Sequence, residues 1–233
     1  MSVYYVVTCL WRLCLSKWSL DPLREYIQSS DLADKGRPLN IISSIDRSVQ
    51  IFNYHISTAK DANNRLTPNT PKEALELVLT PPERLESIYL DKLIVQANIQ
   101  GAVHSVRAIF DIFAQLLNCL VLSDAIPVHS CNLIRATDKL KQSFLKIHLR
   151  ELQESKEYSY VNAMVNTIKH RNLVLFGAQV SLVTDEAGVQ FQSFQYDNKN
   201  YPALWSEQVL QHASVVMNSV ISAGQLLNDS IDA

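Results

Sequence analysis

Ile99-Gln-Gly-Ala-Val103-His-Ser-Val106-Arg-Ala-Ile-Phe110-Asp-Ile-Phe113-Ala-Gln-Leu-Leu117 is the stretch that decides the fold. Its apolar residues recur at steps of three and four, which is the period of a helix and not the two-residue alternation of a strand. Ala97, Ala102, Ala108, Ile109, Ile112, Ala114 and Leu116 put apolar groups on the other faces too. A helix apolar around most of its circumference needs neighbours on every side, so this segment, predicted over about 82–122, belongs at the centre of a bundle. Thr80-Pro-Pro-Glu83 suits its start, because proline is compatible with a first helical turn. Gly101 is its weak point.

Upstream, Ile42, Ile45, Val49, Phe52, Ile56 and Ala59 predict an amphipathic helix over about 41–66, entered at Ser43 or Ser44. Asn63 and Asn64 lead out toward Pro68 and Pro71, and a short helix follows near 72–79. Downstream, Pro127 marks a connection, after which 131–153 reads as a basic helix and about 157–175 as another. The period then changes. Val180 and Leu182, a turn around Asp185-Glu-Ala-Gly188, then Val189 and Phe191 predict a β-hairpin, with Phe194 and Tyr196 out of phase and pointing to a bulge. Leu210, Ala213, Met217, Val220, Gly224 and Leu227 make about 204–228 the last helix. The expected fold is mainly α: an antiparallel helical bundle with a long central helix and a small β-hairpin insertion before the C-terminal helix. About 1–40 is read as an N-terminal extension, 41–176 as the bundle helices and 177–199 as the hairpin, all within one domain.

A chain of 233 residues, 47% hydrophobic and 19% charged, is the size of one globular domain with a substantial core. Five glycines and the lack of a Gly/Ser-rich or Pro-rich linker argue against a flexible multidomain string. Cys9, Cys14, Cys119 and Cys131 show no CxxC spacing, which reads as a reduced, cytoplasmic protein. The apolar run from Val3 to Trp11 is cut short by Arg12, well below the roughly 20 residues of a membrane span, so it reads as a buried first element. A secretion signal is the alternative for that run, and no membrane partner is expected.

The net charge of −2 is unevenly spread. Residues 131–176 hold eight Lys/Arg against four Asp/Glu, whereas 177–233 hold one Lys against six acids. Arg135, Lys139, Lys141, Lys146 and Arg150 therefore form either a solvated helix face or a surface that meets the phosphates of RNA or a nucleotide.

Two polar sets interrupt the apolar pattern. On the central helix they are Gln100, His104, Arg107, Asp111 and Asn118, where Arg107 and Asp111 at i and i+4 can pair. On the later helix they are Asn162, Asn166, Lys169, His170 and Arg171, where Asn166 and His170 lie one turn apart. Buried polar groups need partners, so the two sets are expected to line one interhelical pocket. The alternative is a satisfied ion pair that sets helix register. In the first reading His170, Arg107 and Asn166 are the candidate catalytic residues, and His104, Asp111, Asn162, Lys169 and Arg171 the candidate binding residues. A metal would need His104, Asp111 and His170 to converge, and neither an HxxxH nor an ExxH pair supports one. No Walker loop, GxGxxG or nucleophile elbow is present, so no metal and no cofactor are expected.

Those residues carry a resemblance. Asn166-Thr-Ile-Lys169-His170, preceded by a helix reading His104-Ser-Val-Arg107-Ala-Ile-Phe-Asp111, resembles the HEPN-like superfamily, in particular bacterial members with an Asn-x-x-Lys-His run, over roughly 41–228. The resemblance implies an antiparallel helical bundle that often dimerises. Catalytic members are metal-independent endoribonucleases with an Arg-x4-6-His motif, in which arginine steadies phosphate and histidine assists proton transfer from the ribose 2′-hydroxyl. His170 matches the histidine, but the positions that would hold the arginine are Ala163, Met164 and Val165, and the polar residue nearby is Asn166, whose amide cannot present a cationic fork.

Two functional readings follow. The first is an interaction or RNA-associated module with a polar interhelical pocket, and the second is a toxin- or defence-type ribonuclease with His170 as acid/base and Arg107 and Lys169 as phosphate clamps. A two-fold homodimer is expected in either case, because the central helix and Phe191, Phe194 and Tyr196 suggest more apolar surface than one bundle covers.

Overall fold

The computed structural model describes residues 18–231 and is mainly α, with a few short strands before the last helix. The run Val3–Trp11, Cys9 and Cys14 lie outside the described residues. In chain order the helices are α1 (Asp21–Ser29), α2 (Gly36–Leu66), α3 (Pro71–Leu79), α4 (Leu85–Leu120), α5 (Leu133–Lys139), α6 (Phe144–Glu154), α7 (Lys156–His170) and α8 (Ser206–Ile231).

α4 is the centre. Ile99, Val103, Val106 and Phe113 on one side and Ala102, Ile109, Ala114 and Leu116 on others are all fully buried, as its all-round apolar pattern requires. α2 runs antiparallel beside it. Arg37 reaches Gln115, His55 meets Asn98 at 2.9 Å, and Arg65 grips Asp91 with two nitrogens. Gly101 is explained here: a Cβ at that position would overlap the His55 ring, so the helix gives up propensity to let α2 approach. The first turns of α4 differ, since Leu85, Tyr89, Leu90 and Leu93 are about half exposed or more.

Part of the expected N-terminal extension belongs to the core. Leu23 and Ile27 of α1 are fully buried, and the Trp18 indole packs edge-on against Phe113 and donates to Asn228 at 3.1 Å. The expected basic helix over 131–153 is two helices. Leu140 has extended backbone and a buried side chain, and Ser143 caps α6 by accepting from the Lys146 N–H. Lys146 stabilises the break from inside. Only 9% exposed, its ammonium donates to the Asp138 and Leu140 carbonyls at 2.9 and 2.6 Å, where the helix dipole of α5 is negative. A single residue, Ser155, then joins α6 to α7.

The strand region holds more than the one predicted hairpin. β1 (Phe176–Ser181) and β2 (Glu186–Phe191) pair antiparallel, and β5 (Leu204–Trp205) adds to β2. Phe194 and Tyr196 are out of phase because they start a second hairpin, not a bulge: β3 (Phe194–Tyr196) returns as β4 (Lys199–Tyr201). Asp197 and Asn198 both have positive φ, as a two-residue type I′ turn demands. Of the aromatic groups expected to leave apolar surface, Phe191 is covered within the chain and Phe194 and Tyr196 are partly so. Phe191 is fully buried, Phe194 stacks on Tyr201 and meets Tyr160, and Tyr196 packs on the core.

Candidate functional site

α4 and α7 run antiparallel, and Tyr158 and Lys169 of α7 approach the polar stripe of α4 along their seam. At one end Phe110 packs on Tyr158 with ring centroids 5.0 Å apart; at the other the Lys169 ammonium is close enough to act on His104. Tyr158, Asn162, Asn166 and Lys169 follow at helical spacing, so one face of α7 looks onto the stripe of α4.

Arg107 and Asp111 are joined by a 2.8 Å ion pair, with side chains 29% and 48% exposed. At that exposure the pair contributes little to stability, and the guanidinium is held by a carboxylate of its own helix. Tyr158, which sequence reasoning did not single out, lies beside this pair. Burial raises its pKa most, Arg107 opposes the rise and Asp111 adds to it. Its signal was available, because Tyr158 stands one turn before Asn162 on the same face.

His104 is half-buried, and its pKa lies below its ordinary value of 6.5, first because burial disfavours the cation and second because Lys169 repels it. The imidazole is thereby kept neutral and able to accept a proton near neutral pH. Between the lowered folded value and about 6.5 the unfolded chain binds this proton more readily, so the stability tied to His104 is full above that window and is lost as pH falls through it. Lys169→Gln should raise the His104 pKa while leaving it below 6.5, since burial is the larger cause. Proton NMR titration of the imidazole checks this; a full return to 6.5, or no movement, would contradict it.

Asn166 donates to Asn162 at 3.3 Å, so these two amides partner each other. The His170 side chain is exposed at the end of α7 and makes no hydrogen bond or ion pair among the described residues. Arg171 leaves the seam: it donates to the Gln195 carbonyl at 2.9 Å and lies 5.3 Å over the Tyr196 ring, fastening the second hairpin to α7. Asn118 also belongs elsewhere. Its side chain donates to the Ile126 carbonyl and accepts from the Ile126 N–H, closing the loop after α4.

Clefts of about 360, 370, 560 and 650 Å³ indent the surface, and none of these four is lined by a seam residue. The seam is a polar strip with its charges at the rim. Among the described residues no three His, Cys, Asp or Glu side chains gather closely enough to hold a metal ion, and no helix is long and apolar enough to cross a membrane. Cys119 and Cys131 are buried free thiols; burial pushes Cys119 up to about 11 and raises Cys131 as well, so both remain unreactive thiols at neutral pH. Comparison with known protein families, with curated proteins and with solved structures gives no match to this chain.

Proposed function

We propose that this chain is a HEPN-like cytoplasmic module that works by binding, with the α4–α7 seam as its contact strip and single-stranded RNA as its partner. What supports this reading is the end of the α4–α7 seam, where Lys169 and His170 are both exposed on α7 and Lys169 lies within electrostatic reach of the half-buried His104. A cationic rim beside a neutral imidazole can hold a phosphate and accept a hydrogen bond from a ribose hydroxyl. Catalysis is the weaker reading, because Arg107, the substitute for the absent motif arginine, is already paired with Asp111.

Fluorescence anisotropy with a labelled single-stranded RNA tests the proposal. Binding should weaken with salt, and Lys169→Glu should lower the salt slope by about 1 and weaken affinity roughly tenfold. No cleavage should occur without metal, and His170→Ala should change no cleavage rate. Metal-independent cleavage that disappears in both His170→Ala and Arg107→Ala, with folding intact, would replace binding by catalysis; no RNA binding at all would end the proposal. The exposed Leu85, Tyr89 and Leu93, spaced by four on α4, are the face through which the same reading places a two-fold dimer. Light scattering on the RNA-free sample should give twice the chain mass.

A further inference from the structure

The largest of the four clefts, about 650 Å³, is lined by no residue of the seam. It opens where α4, α5 and α8 end and α6 begins, and Tyr26 of α1 lines one side. Leu140 and Leu145, each 4% exposed, belong to the packed core behind it, and Leu122 and Ile231 add half-buried apolar wall. Lys139 and Lys141 line the same cleft, both exposed and neither in an ion pair among the described residues. Three helix C-termini nearby would ordinarily explain lysines by attracting them. That duty is already met for α5, because the buried Lys146 ammonium takes the Asp138 and Leu140 carbonyls. Lys139 and Lys141 face solvent beside apolar wall, in no ion pair among the described residues.

The remaining wall is held firmly. Ser123 and Asp124 follow each other with φ of 50° and 57°, a left-handed pair that non-glycine residues rarely adopt. The turn persists because Arg37 pairs with Asp124 at 2.9 Å and Asn118 bridges to Ile126. Strain supported from several sides is a property of preformed sites, and the volume falls within the roughly 300–1,000 Å³ of small-molecule pockets.

We propose that this cleft binds a free acyl-chain carboxylate, with the chain against Leu120, Val121, Leu122 and Ile231 and the carboxylate between Lys139 and Lys141. An apolar floor with two cations at its edge, neither paired among the described residues, matches an amphiphilic anion, whereas a neutral lipid would leave the lysines unused and a short anion would leave the floor uncovered. The inference is independent of the RNA reading, since it uses no residue of the α4–α7 seam.

Isothermal titration of the full chain with monomeric dodecanoate tests it. One dodecanoate should bind per chain, acetate and dodecanol should each bind at least about tenfold more weakly, and the double variant Lys139→Glu/Lys141→Glu should lose about tenfold or more while keeping its circular dichroism spectrum. Leu122→Ser supplies the second arm, weakening dodecanoate without changing the charge at the rim. The proposal is overturned if dodecanoate shows no saturable binding, if dodecanol binds equally well, if the charge-reversed variant binds unchanged, or if the chain takes up phosphatidylglycerol vesicles and not free dodecanoate.

Discussion

Asn118→Leu is expected to destabilise the fold by about 2–6 kcal/mol, because it leaves two buried backbone groups without partners, each costing about 1–3 kcal/mol. The Asn118 side chain is fully buried near the end of the central helix, where it donates to the Ile126 carbonyl at 2.8 Å and accepts from the Ile126 N–H at 3.1 Å. It also donates to Asp124 at 3.3 Å, the carboxylate that Arg37 holds from α2. Leucine keeps the branching at Cγ and removes every one of these bonds. Asn118→Asp keeps an acceptor for the Ile126 N–H but loses the donor and faces Asp124 with a like charge, so it should also be destabilising. Urea denaturation measures both; a loss under about 1 kcal/mol for the leucine variant would show that the loop closes without this amide. The Ser123–Asp124 turn lines the dodecanoate cleft, so the variant should also weaken that ligand at temperatures where the chain remains folded.

Phe113→Ala is expected to cost about 3–5 kcal/mol, the range for deleting a fully buried aromatic ring and leaving a cavity. For a chain of this length that is a fall in melting temperature of about 6–20 °C. Phe113 is fully buried in α4 and meets the Trp18 indole edge-on, with centroids 5.8 Å apart at 81°. Trp18 is itself seated against Gly224, where any Cβ would overlap the indole. The loss should therefore appear twice: as an earlier thermal transition, and as a weaker near-ultraviolet circular dichroism signal from a tryptophan whose packing partner is gone. An unchanged melting temperature would mean that the neighbouring side chains close over the space.

Long helices are the features that a sequence states most redundantly. α2, α4 and α8 each repeat their apolar spacing over many turns, so single exceptions such as Gly101 or Asn118 do not hide the period. Short elements lack that redundancy. The break at Leu140–Ser143 has Ser143 as a readable cap, but the apolar and basic pattern runs across it; what ends α5 is Lys146 turning inward onto the Asp138 and Leu140 carbonyls. The second hairpin was visible only as a loss of phase at Phe194 and Tyr196, because Asp197-Asn198 is a less familiar type I′ pair than Asn-Gly.

Of the candidate site, the sequence by itself determined which faces carry polar groups: helical spacing alone puts His104, Arg107 and Asp111 on one side of α4, and Asn162, Asn166 and Lys169 on one side of α7. It also determined that α4 is central, since a helix apolar all round has no other stable place. Which polar groups meet was decided by the tertiary structure. The antiparallel docking of α4 and α7 brings Lys169 within electrostatic reach of His104 and Tyr158 within reach of the Arg107–Asp111 pair, while the second hairpin draws Arg171 away to Gln195 and Tyr196. The acyl-carboxylate cleft likewise gathers Tyr26, Leu122, Lys139, Lys141 and Ile231 from distant parts of the chain. The physical reason is one of range: periodicity is set by local backbone geometry and is written along the chain, whereas partnership depends on helix offset and rotation, which the packing of the whole core fixes to within an ångström or two.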